Sequence, residues 1–243
     1  MFTKNVKPRK RGRPPGRSAQ GEAAKQKLFD VATHLIRERG YGETTLRDVA
    51  EQAGVSVGLL YRYYPSKRAI VLALYEELSV KYAVRAADMP GGTWRSRFTF
   101  ALETSLEVLR PHRNTLQAFV PVMLGGSDEG LFAESTAFSR FRVQKVFEDA
   151  VVGSSDAPTR KLSEAVGRLL YLVHLGVILW WLLDKTPHQR ATTALVTLLR
   201  QVLPSAALTL RLPPIRTFVL AADELFRAAL FGSPNAEAPM RPT

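Results

Sequence analysis

The sequence predicts an all-α protein, and three observations carry that prediction. Apolar residues recur at spacings of three and four in one segment after another. Glycine and proline stand where these segments end or begin. No stretch alternates apolar and polar residues for long enough to make a β-strand. The 243 residues, 46% of them hydrophobic, suffice for one large domain or two modest ones.

The N-terminal segment, residues 1–20, is too basic and too rich in proline and glycine to pack, so it is predicted to be a flexible arm. It holds seven Lys or Arg residues and no acid, which is +7 of the net charge of +12. Such an excess indicates a polyanionic partner, although a solvated basic tail is the alternative. No long apolar run follows the arm, so it is not read as a signal peptide.

Three helices are predicted to follow the arm, of which the second and third are short. The first begins near Gly21 and closes at Gly40. Thr44 is the expected N-cap of the second, which ends at Gly54, and Ser56 caps the third over about 57–63. The predicted inward face of the second helix consists of Leu46, Val49, Ala50 and Ala53.

Residues 45–64 have the pattern of a helix-turn-helix, with a short first helix, a glycine turn and a second helix. Ala50 lies where the two helices cross, and Leu60 anchors the second helix in the core. The side chains left outside are Val57, Gly58, Leu59, Tyr61, Arg62 and Tyr63. Such an apolar and aromatic surface suits DNA, because hydroxyls bond phosphates and apolar groups contact thymine methyls.

Residues 22–78 resemble the DNA-binding domain of TetR-type bacterial transcriptional regulators. The resemblance rests on the segments ERGY at 38–41, TTLRDVA at 44–50, AGVS at 53–56 and LYRYYPSK at 60–67. It covers about a quarter of the chain. It implies a homeodomain-like three-helix domain that binds DNA, joined to a C-terminal helical domain that binds a ligand and dimerises.

The resemblance also implies roles for individual residues. Thr45 and Arg47 would contact phosphate at the start of the second helix, and Lys67 would hold another phosphate. The residues implied to face the major groove are Val57, Gly58 and Leu59, with Tyr61 and Tyr63 on bases or backbone. Tyr64 is expected to pack in the core.

Within the arm, Arg11 and Arg13 belong to an Arg-Gly-Arg-Pro segment that resembles an AT-hook core. Arginines in such a segment lie in the narrow minor groove of A·T-rich DNA. The alternative is a polybasic arm that adds affinity without reading sequence.

Seven further helices are predicted after Pro65. Ser66 caps the fourth, Thr93 the fifth, and Pro111 starts a sixth that Pro121 should kink or shorten. The seventh spans about 135–151, the eighth about 158–184, the ninth ends near Pro204, and the tenth follows Pro213. The predicted division is an arm over 1–20, a DNA-binding domain over 21–66, an effector and dimerisation domain over 67–232, and a disordered tail over 233–243.

The eighth helix is apolar on every side over residues 169–183. Fifteen residues fall short of the roughly 20 that cross a bilayer, so a buried helix in a cytoplasmic protein without membrane contact is expected. One protomer cannot cover such a helix completely. We therefore expect a homodimer through the eighth helix with the ninth or tenth. The alternative is that the tenth helix covers the eighth within one chain.

By resemblance, the C-terminal domain encloses a cavity for a small, mostly apolar effector of unknown identity, with no cofactor and no metal. Pro121 disturbs close packing there, and Gln117 and His174 place polar groups among apolar neighbours. A lone buried histidine is, however, more often part of the core. The residues expected to line the cavity are Phe98, Leu102, Gln117, Met123, Phe138, Phe141, His174 and Trp181.

An enzyme is not expected. The four histidines have no metal-ligand spacing, and no phosphate-binding loop or nucleophile elbow is present in the sequence. The prediction is a DNA-binding regulator, most simply a repressor, controlled by an effector. The alternative is an architectural or nucleoid-type DNA-binding protein without an effector, and a cavity among helices five to eight would distinguish the two.

Overall fold

The computed structural model describes residues 19–125 and 130–231, and all regular elements in these ranges are helical. The ten α-helices are α1 Ala19–Arg39, α2 Leu46–Ala53, α3 Val57–Tyr63, α4 Lys67–Ala86, α5 Trp94–Leu109, α6 Arg113–Met123, α7 Ala137–Val152, α8 Arg160–Leu183, α9 Arg190–Thr209 and α10 Pro213–Phe231. Short 3-10 turns precede α6, α7 and α9. The all-α prediction is confirmed. The predicted arm, apart from its last two residues, and the predicted C-terminal tail lie outside the described residues.

The chain divides into two compact units, one that extends to Lys67 and one that begins at Arg68. In the first unit α1, α2 and α3 pack against one another. The core of this unit is formed by the apolar stripes that the sequence indicated, which include Leu28, Leu35, Ile36, Val49, Ala50 and Leu60.

Three helix ends differ from the prediction. The N-cap of α2 is Thr45 rather than Thr44, since Thr44 is buried and its hydroxyl donates to the Gly40 carbonyl at 2.9 Å. Pro121 and Pro204 lie inside α6 and α9 rather than at their ends. A proline near the end of a helix removes one hydrogen bond but keeps a helical φ. In α9, the buried Leu203 and Leu210 hold the last turns against the protein.

The second unit is built around α8, which contacts α5, α6, α7, α9 and α10. Its closest neighbour is α7, because a Cβ added at Gly167 would lie 2.6 Å from the Glu148 Cα. Phe98, Phe147 and Tyr171 fill the centre of this unit, with ring centroids 6.0 to 6.2 Å apart in successive pairs.

Two stretches, Arg160–Leu183 and Pro187–Thr209, are long and apolar enough to cross a membrane by length and composition alone. The core helix of a globular protein passes the same test, so this is weak evidence for a membrane. The packing of α8 against five other helices is that of such a core helix.

Candidate nucleic-acid interface and ligand cavity

The turn between α2 and α3 is built by Gly54 and Ser56. Gly54 adopts a left-handed conformation (φ 65°) that ends α2, and the next amide, of Val55, donates to the Ala50 carbonyl at 3.0 Å. The Ser56 hydroxyl then accepts from the Leu59 amide at 3.2 Å and starts α3. The two helices are therefore joined by only three residues, 54–56, as a helix-turn-helix requires.

The start of α2 is fixed by a reciprocal capping box between Thr45 and Asp48. The Thr45 amide donates to the Asp48 carboxylate at 2.9 Å, and the Thr45 hydroxyl accepts from the Asp48 amide at 3.2 Å. The backbone hydrogen bond from Thr45, with a smaller contribution from its hydroxyl, lowers the pKa of Asp48 below its ordinary value. Thr45 is exposed, so its side chain is accessible to another molecule.

The outer face of α3 has the composition that the sequence predicted. Leu60 is the buried residue of α3 and Tyr64 packs in the core directly after it, as predicted. Gly58 and Tyr61 are exposed, Tyr61 to 49%, while Leu59 and Tyr63 are half-buried. Val57 and Arg62 of α3 are also exposed, and so is Arg47 of α2.

Gly58 has no structural reason to be glycine. A Cβ built on it meets no atom within 4 Å, and its φ lies outside the left-handed region. Glycine inside a helix is destabilising by about 0.5 to 1 kcal/mol relative to alanine. A glycine on an exposed helical face is explained if another molecule must approach the backbone closely there.

Lys67 has a structural contact that the sequence did not predict. Its ammonium donates to the carbonyls of Tyr41 (2.6 Å) and Gly42 (3.1 Å), and it lies 4.6 Å from the centroid of the Tyr41 ring. These bonds use two of the three N–H donors of the ammonium group. Lys67 therefore fastens the loop between α1 and α2, and the implied phosphate contact would depend on the remaining donor.

The second unit contains a cavity of about 330 Å³ with a mainly apolar lining. This volume lies at the lower end of the range for small-molecule sites. Its lining comes from α4, α5, α6, α7 and α8 and from the segment before α7. The residues that border it include Tyr75, Leu78, Ser79, Tyr82, Ser105, Leu116, Val120, Met123, Leu131, Phe132, Val143, Leu172, His174, Leu175, Ile178 and Leu179.

Two of the eight residues expected to line the cavity, Met123 and His174, border it, and six do not. Phe98 and Leu102 are fully buried in the packed core. Phe138 and Phe141 are 71% and 59% exposed and border a separate surface groove with Ala83 and Arg97.

The other two expected cavity residues, Gln117 and Trp181, hold the end of α8. The Gln117 amide donates to the Leu182 carbonyl at 2.6 Å. Trp181 is buried, and the Arg113 guanidinium lies 5.7 Å from the centroid of its ring. Arg113 also donates to the Trp181 carbonyl at 3.0 Å and to the Asp184 carbonyl at 2.8 Å. Free carbonyls at a helix end need such donors, which explains why these polar groups are not available to a ligand.

Sequence reasoning missed the contribution of α4 to the cavity. Tyr75, Ser79 and Tyr82 recur at four and three residues and border it together with Leu78. This spacing places the three side chains on one side of α4. It is the feature of the sequence from which the contribution of α4 to the cavity could have been predicted.

The polar centre of the cavity wall is a pair formed by Ser105 and His174. The Ser105 hydroxyl lies 2.8 Å from His174 Nε2, and both side chains are buried. Burial lowers the pKa of His174 to about 3, so the imidazole is neutral at pH 7. The Tyr82 ring lies parallel to the imidazole within 5°, with the two centroids 6.3 Å apart.

Within residues 19–125 and 130–231, no group of three or more His, Asp or Glu side chains is close enough to hold a metal ion.

The N-terminal unit matches a known family model. Residues 28–74 match the model of bacterial regulatory proteins of the tetR family. The HTH-type transcriptional repressor KstR of Mycolicibacterium smegmatis is 38% identical over 87 residues, which are 35% of this chain and 42% of KstR. The chain thus spans less than half the length of the relatives that it matches in sequence.

Solved structures show that the similarity of fold extends over most of the chain. A tetR-family transcriptional regulator from Streptomyces coelicolor superposes with a TM-score of 0.55 at 21% identity, covering 83% of this chain and 88% of the other. FadR from Bacillus subtilis, solved in complex with stearoyl-CoA, superposes with a TM-score of 0.57 at 17% identity, and the match covers 73% of this chain and 96% of the FadR chain. Residues 28–74 are thus similar to the tetR family of bacterial regulatory proteins, and the helical fold of most of the chain is similar to the folds of these two solved structures.

Proposed function

We propose that the protein is a cytoplasmic transcriptional repressor that binds operator DNA through α2 and α3 and is released from it by a small-molecule effector. The observation that carries the DNA-binding part is Gly58, a helical glycine on the exposed face of α3 with open space around it. Tyr61, Arg62 and Arg47 supply hydroxyl and cationic donors on the same unit.

The effector part of the proposal is supported by the cavity in the second unit. An architectural DNA-binding protein has no use for an apolar cavity of 330 Å³, so the cavity favours the regulator over that alternative. FadR, which has a similar fold, was solved with stearoyl-CoA bound, and this supports a ligand-responsive C-terminal unit here.

The helix α4 offers a direct route between the two activities. It begins at Lys67, which is bonded to the loop between α1 and α2, and it places Tyr75, Ser79 and Tyr82 on the cavity. An effector that binds one position of α4 better than another shifts the population toward that position. We propose that the favoured position is one in which the two recognition helices of a dimer no longer match two half-sites.

The substitutions Gly58→Ala and Gly58→Leu test the DNA interface. Gly58→Ala should raise the free energy of unfolding by about 0.5 to 1 kcal/mol, because it removes a glycine from a helix. Both substitutions should weaken binding to a duplex selected from random DNA, Gly58→Leu by at least about 1 kcal/mol, or fivefold. Fluorescence anisotropy and urea unfolding measure the two effects.

The matched control for this experiment is Val84→Ala on α4, a helical position that is 67% exposed and lies outside the proposed interface. It should leave DNA affinity unchanged. If Gly58→Leu binds the selected duplex as tightly as the wild type does, α3 is not the surface that enters the groove.

Deletion of residues 2–17 tests the role of the arm, including Arg11 and Arg13. The deletion removes seven positive charges, so DNA affinity should fall and its dependence on salt should become shallower. The thermal midpoint should hardly change. We expect the largest loss on sites with A·T-rich flanks, because the minor groove is narrow there. An equal loss on G·C-rich flanks would show that the arm adds charge without reading sequence.

A further inference from the structure

The chemistry of the cavity wall narrows the class of ligand that it can hold, given the effector-binding role proposed above. Most of the side chains that border the cavity are Leu, Val, Ile, Met and Phe. The polar exceptions are Tyr75, Ser79, Tyr82, Ser105 and His174, and the described lining has no Asp, Glu, Lys or Arg. The ligand must therefore be largely apolar, with its polar atoms near these few groups.

Three polar atoms on side chains that border the cavity have no hydrogen bond among the described residues, and all three are shielded from solvent. They are the Tyr75 hydroxyl, the Tyr82 hydroxyl and His174 Nδ1. The Tyr75 hydroxyl lies beside the Tyr171 side chain, which leaves the Tyr82 hydroxyl and His174 Nδ1 for a ligand. A buried donor without a partner costs about 1 to 3 kcal/mol.

The contact between Ser105 and His174 indicates which kind of ligand atom is needed. If the Ser105 hydroxyl donates to Nε2, Nδ1 carries the imidazole proton and is a single unpaired donor. The reverse arrangement would leave both the serine proton and a nitrogen lone pair without partners. The first arrangement leaves fewer groups unsatisfied, so His174 and Tyr82 both present donors, and the ligand must supply an acceptor.

The charged groups around the cavity are already committed to other partners. Arg142 forms an ion pair with Glu76 at 2.9 Å, and it also donates to the Ser79 hydroxyl. Arg140 donates to the carbonyls of Leu131 (3.1 Å) and Ala133 (3.2 Å). His174 is neutral, so it brings no charge either. A carboxylate in this cavity would lose its hydration without gaining a free cation, which is costly.

We propose that the cavity binds an uncharged lipophile with one accepting oxygen, such as a ketone or ester carbonyl, which takes hydrogen bonds from the Tyr82 hydroxyl and His174 Nδ1. The two lone pairs of a carbonyl oxygen suit two donors from different side chains. Alkanoate ions are excluded, and the cavity of 330 Å³ suits a compact ligand rather than a nucleotide-bearing thioester.

Three probes of equal chain length test this selectivity in the full-length protein: 2-decanone, decanoate and decane. Calorimetry at pH 7.5 in the absence of DNA should show that 2-decanone binds at least tenfold tighter than decanoate. It should also bind tighter than decane by a factor of about 5 to 150, which corresponds to two hydrogen bonds of about 0.5 to 1.5 kcal/mol each. Tighter binding of decanoate overturns the proposal, as does no saturable binding of 2-decanone up to its solubility limit.

The pH dependence of decanoic acid binding gives an independent readout. If only the neutral acid enters, its apparent affinity falls about tenfold for each pH unit above its carboxyl pKa, which is near 4 to 5. The affinity for 2-decanone should not depend on pH, because the ketone does not ionise. It therefore serves as the control for titration of protein groups near the cavity, such as Glu76. If the apparent affinity for decanoate stays constant from about pH 6 to about pH 8, the ion itself binds, and the proposal is wrong.

The Tyr82→Phe substitution tests the donor while keeping the ring. It should weaken 2-decanone binding about 2- to 10-fold and leave decane binding unchanged. The matched control is Tyr171→Phe, the same change at a buried tyrosine that does not border the cavity. Equal effects of the two substitutions on 2-decanone would overturn the assignment of Tyr82.

A separate measurement distinguishes the ligand class from the proposed function. The selected duplex is titrated with 2-decanone in the anisotropy assay. If the protein binds the ketone selectively but keeps its DNA, the proposed ligand class is supported and control of DNA binding by this cavity is contradicted. If decanoate releases the DNA and the ketone does not, control of DNA binding is supported and the proposal of an uncharged ligand is overturned.

Discussion

Replacing Phe218 and Leu225 together by arginine is expected to convert the protein from a dimer into a folded monomer. Both side chains lie on α10 and are 70% and 72% exposed in a single protomer. They are seven residues apart and therefore lie on the same side of the helix. Large apolar groups that share an exposed face indicate an interface.

A second exposed stripe on α8 supports the same interface. Val173, Trp180 and Leu183 are exposed on α8, at spacings of seven and three residues. The rest of the apolar segment 169–183 is covered within the protomer or borders the cavity. We propose a two-fold dimer in which the exposed stripes of α8 and α10, with Leu198 or Val202 of α9, contact the partner. The sequence was also consistent with a tenth helix that covers the eighth within one chain. This is true of part of α8, since α10 packs against α8 of its own chain.

The size of the expected effect follows from symmetry. A two-fold interface contains each side chain twice, so the double substitution removes four apolar side chains from it. At about 1.5 kcal/mol for each buried side chain, the dimer loses about 6 kcal/mol, or four orders of magnitude in its dissociation constant. DNA binding should fall with it, because a monomer reaches only one of two half-sites about 34 to 36 Å apart.

Sedimentation velocity at micromolar concentration measures this result, and circular dichroism checks that the variant is folded. Val84→Arg is the matched control, since Val84 is 67% exposed on α4 and belongs to neither stripe. It should remain dimeric. A wild-type monomer, or a double variant that still sediments as a dimer, would refute an interface through α10.

The DNA-binding unit was predictable because its determinants are local. The left-handed Gly54, the Ser56 cap and the buried face of α2 each act within a few residues, so the sequence pattern is sufficient. The one error there, Thr44 for Thr45 as the N-cap, arose because both residues are threonine and only one has Asp three residues later.

The cavity was less predictable because it depends on which helices meet. Phe138 and Phe141 are large and apolar, yet they are exposed, since they border an open surface groove between α7 and residues of α4 and α5. Gln117 is polar in an apolar segment, as a ligand-binding group would be, but the Leu182 carbonyl of α8 takes its amide. Tyr82 and Ser105 have ordinary amphipathic positions, and nothing in a single helix distinguishes a cavity wall from packed core.

Replacing Arg168 by methionine is expected to cause a large loss of stability in the second unit. Arg168 on α8 forms two hydrogen bonds of 2.7 Å with the Asp223 carboxylate of α10. Its other terminal nitrogen lies 3.5 Å from the Glu148 carboxylate of α7. One half-buried cation therefore links three helices, next to the close approach of α7 and α8 at Gly167.

Without Arg168, the buried Asp223 carboxylate and the half-buried Glu148 carboxylate remain with no cation between them. Removal of one partner from a fully buried pair costs about 3 to 5 kcal/mol, and Arg168 is half-buried, so about 2 to 4 kcal/mol is expected here. The Asp223 side chain is 8% exposed, so water cannot fully replace the lost bonds. Because the ion pair with Asp223 is one of the contacts between α10 and α8, we also expect the dimer to weaken in Arg168→Met, although Phe218 and Leu225 are unchanged.

Urea unfolding of Arg168→Met, Asp223→Leu and the double variant separates loss of the ion pair from loss of packing. The double variant should be more stable than Arg168→Met, because it removes the orphaned Asp223 carboxylate together with the cation. Lys145→Ala is the matched control, since it breaks the exposed ion pair with Asp149 on α7 and should cost less than about 1 kcal/mol. If Arg168→Met costs no more than Lys145→Ala, then packing of apolar side chains, and not this ion pair, holds α10 in place.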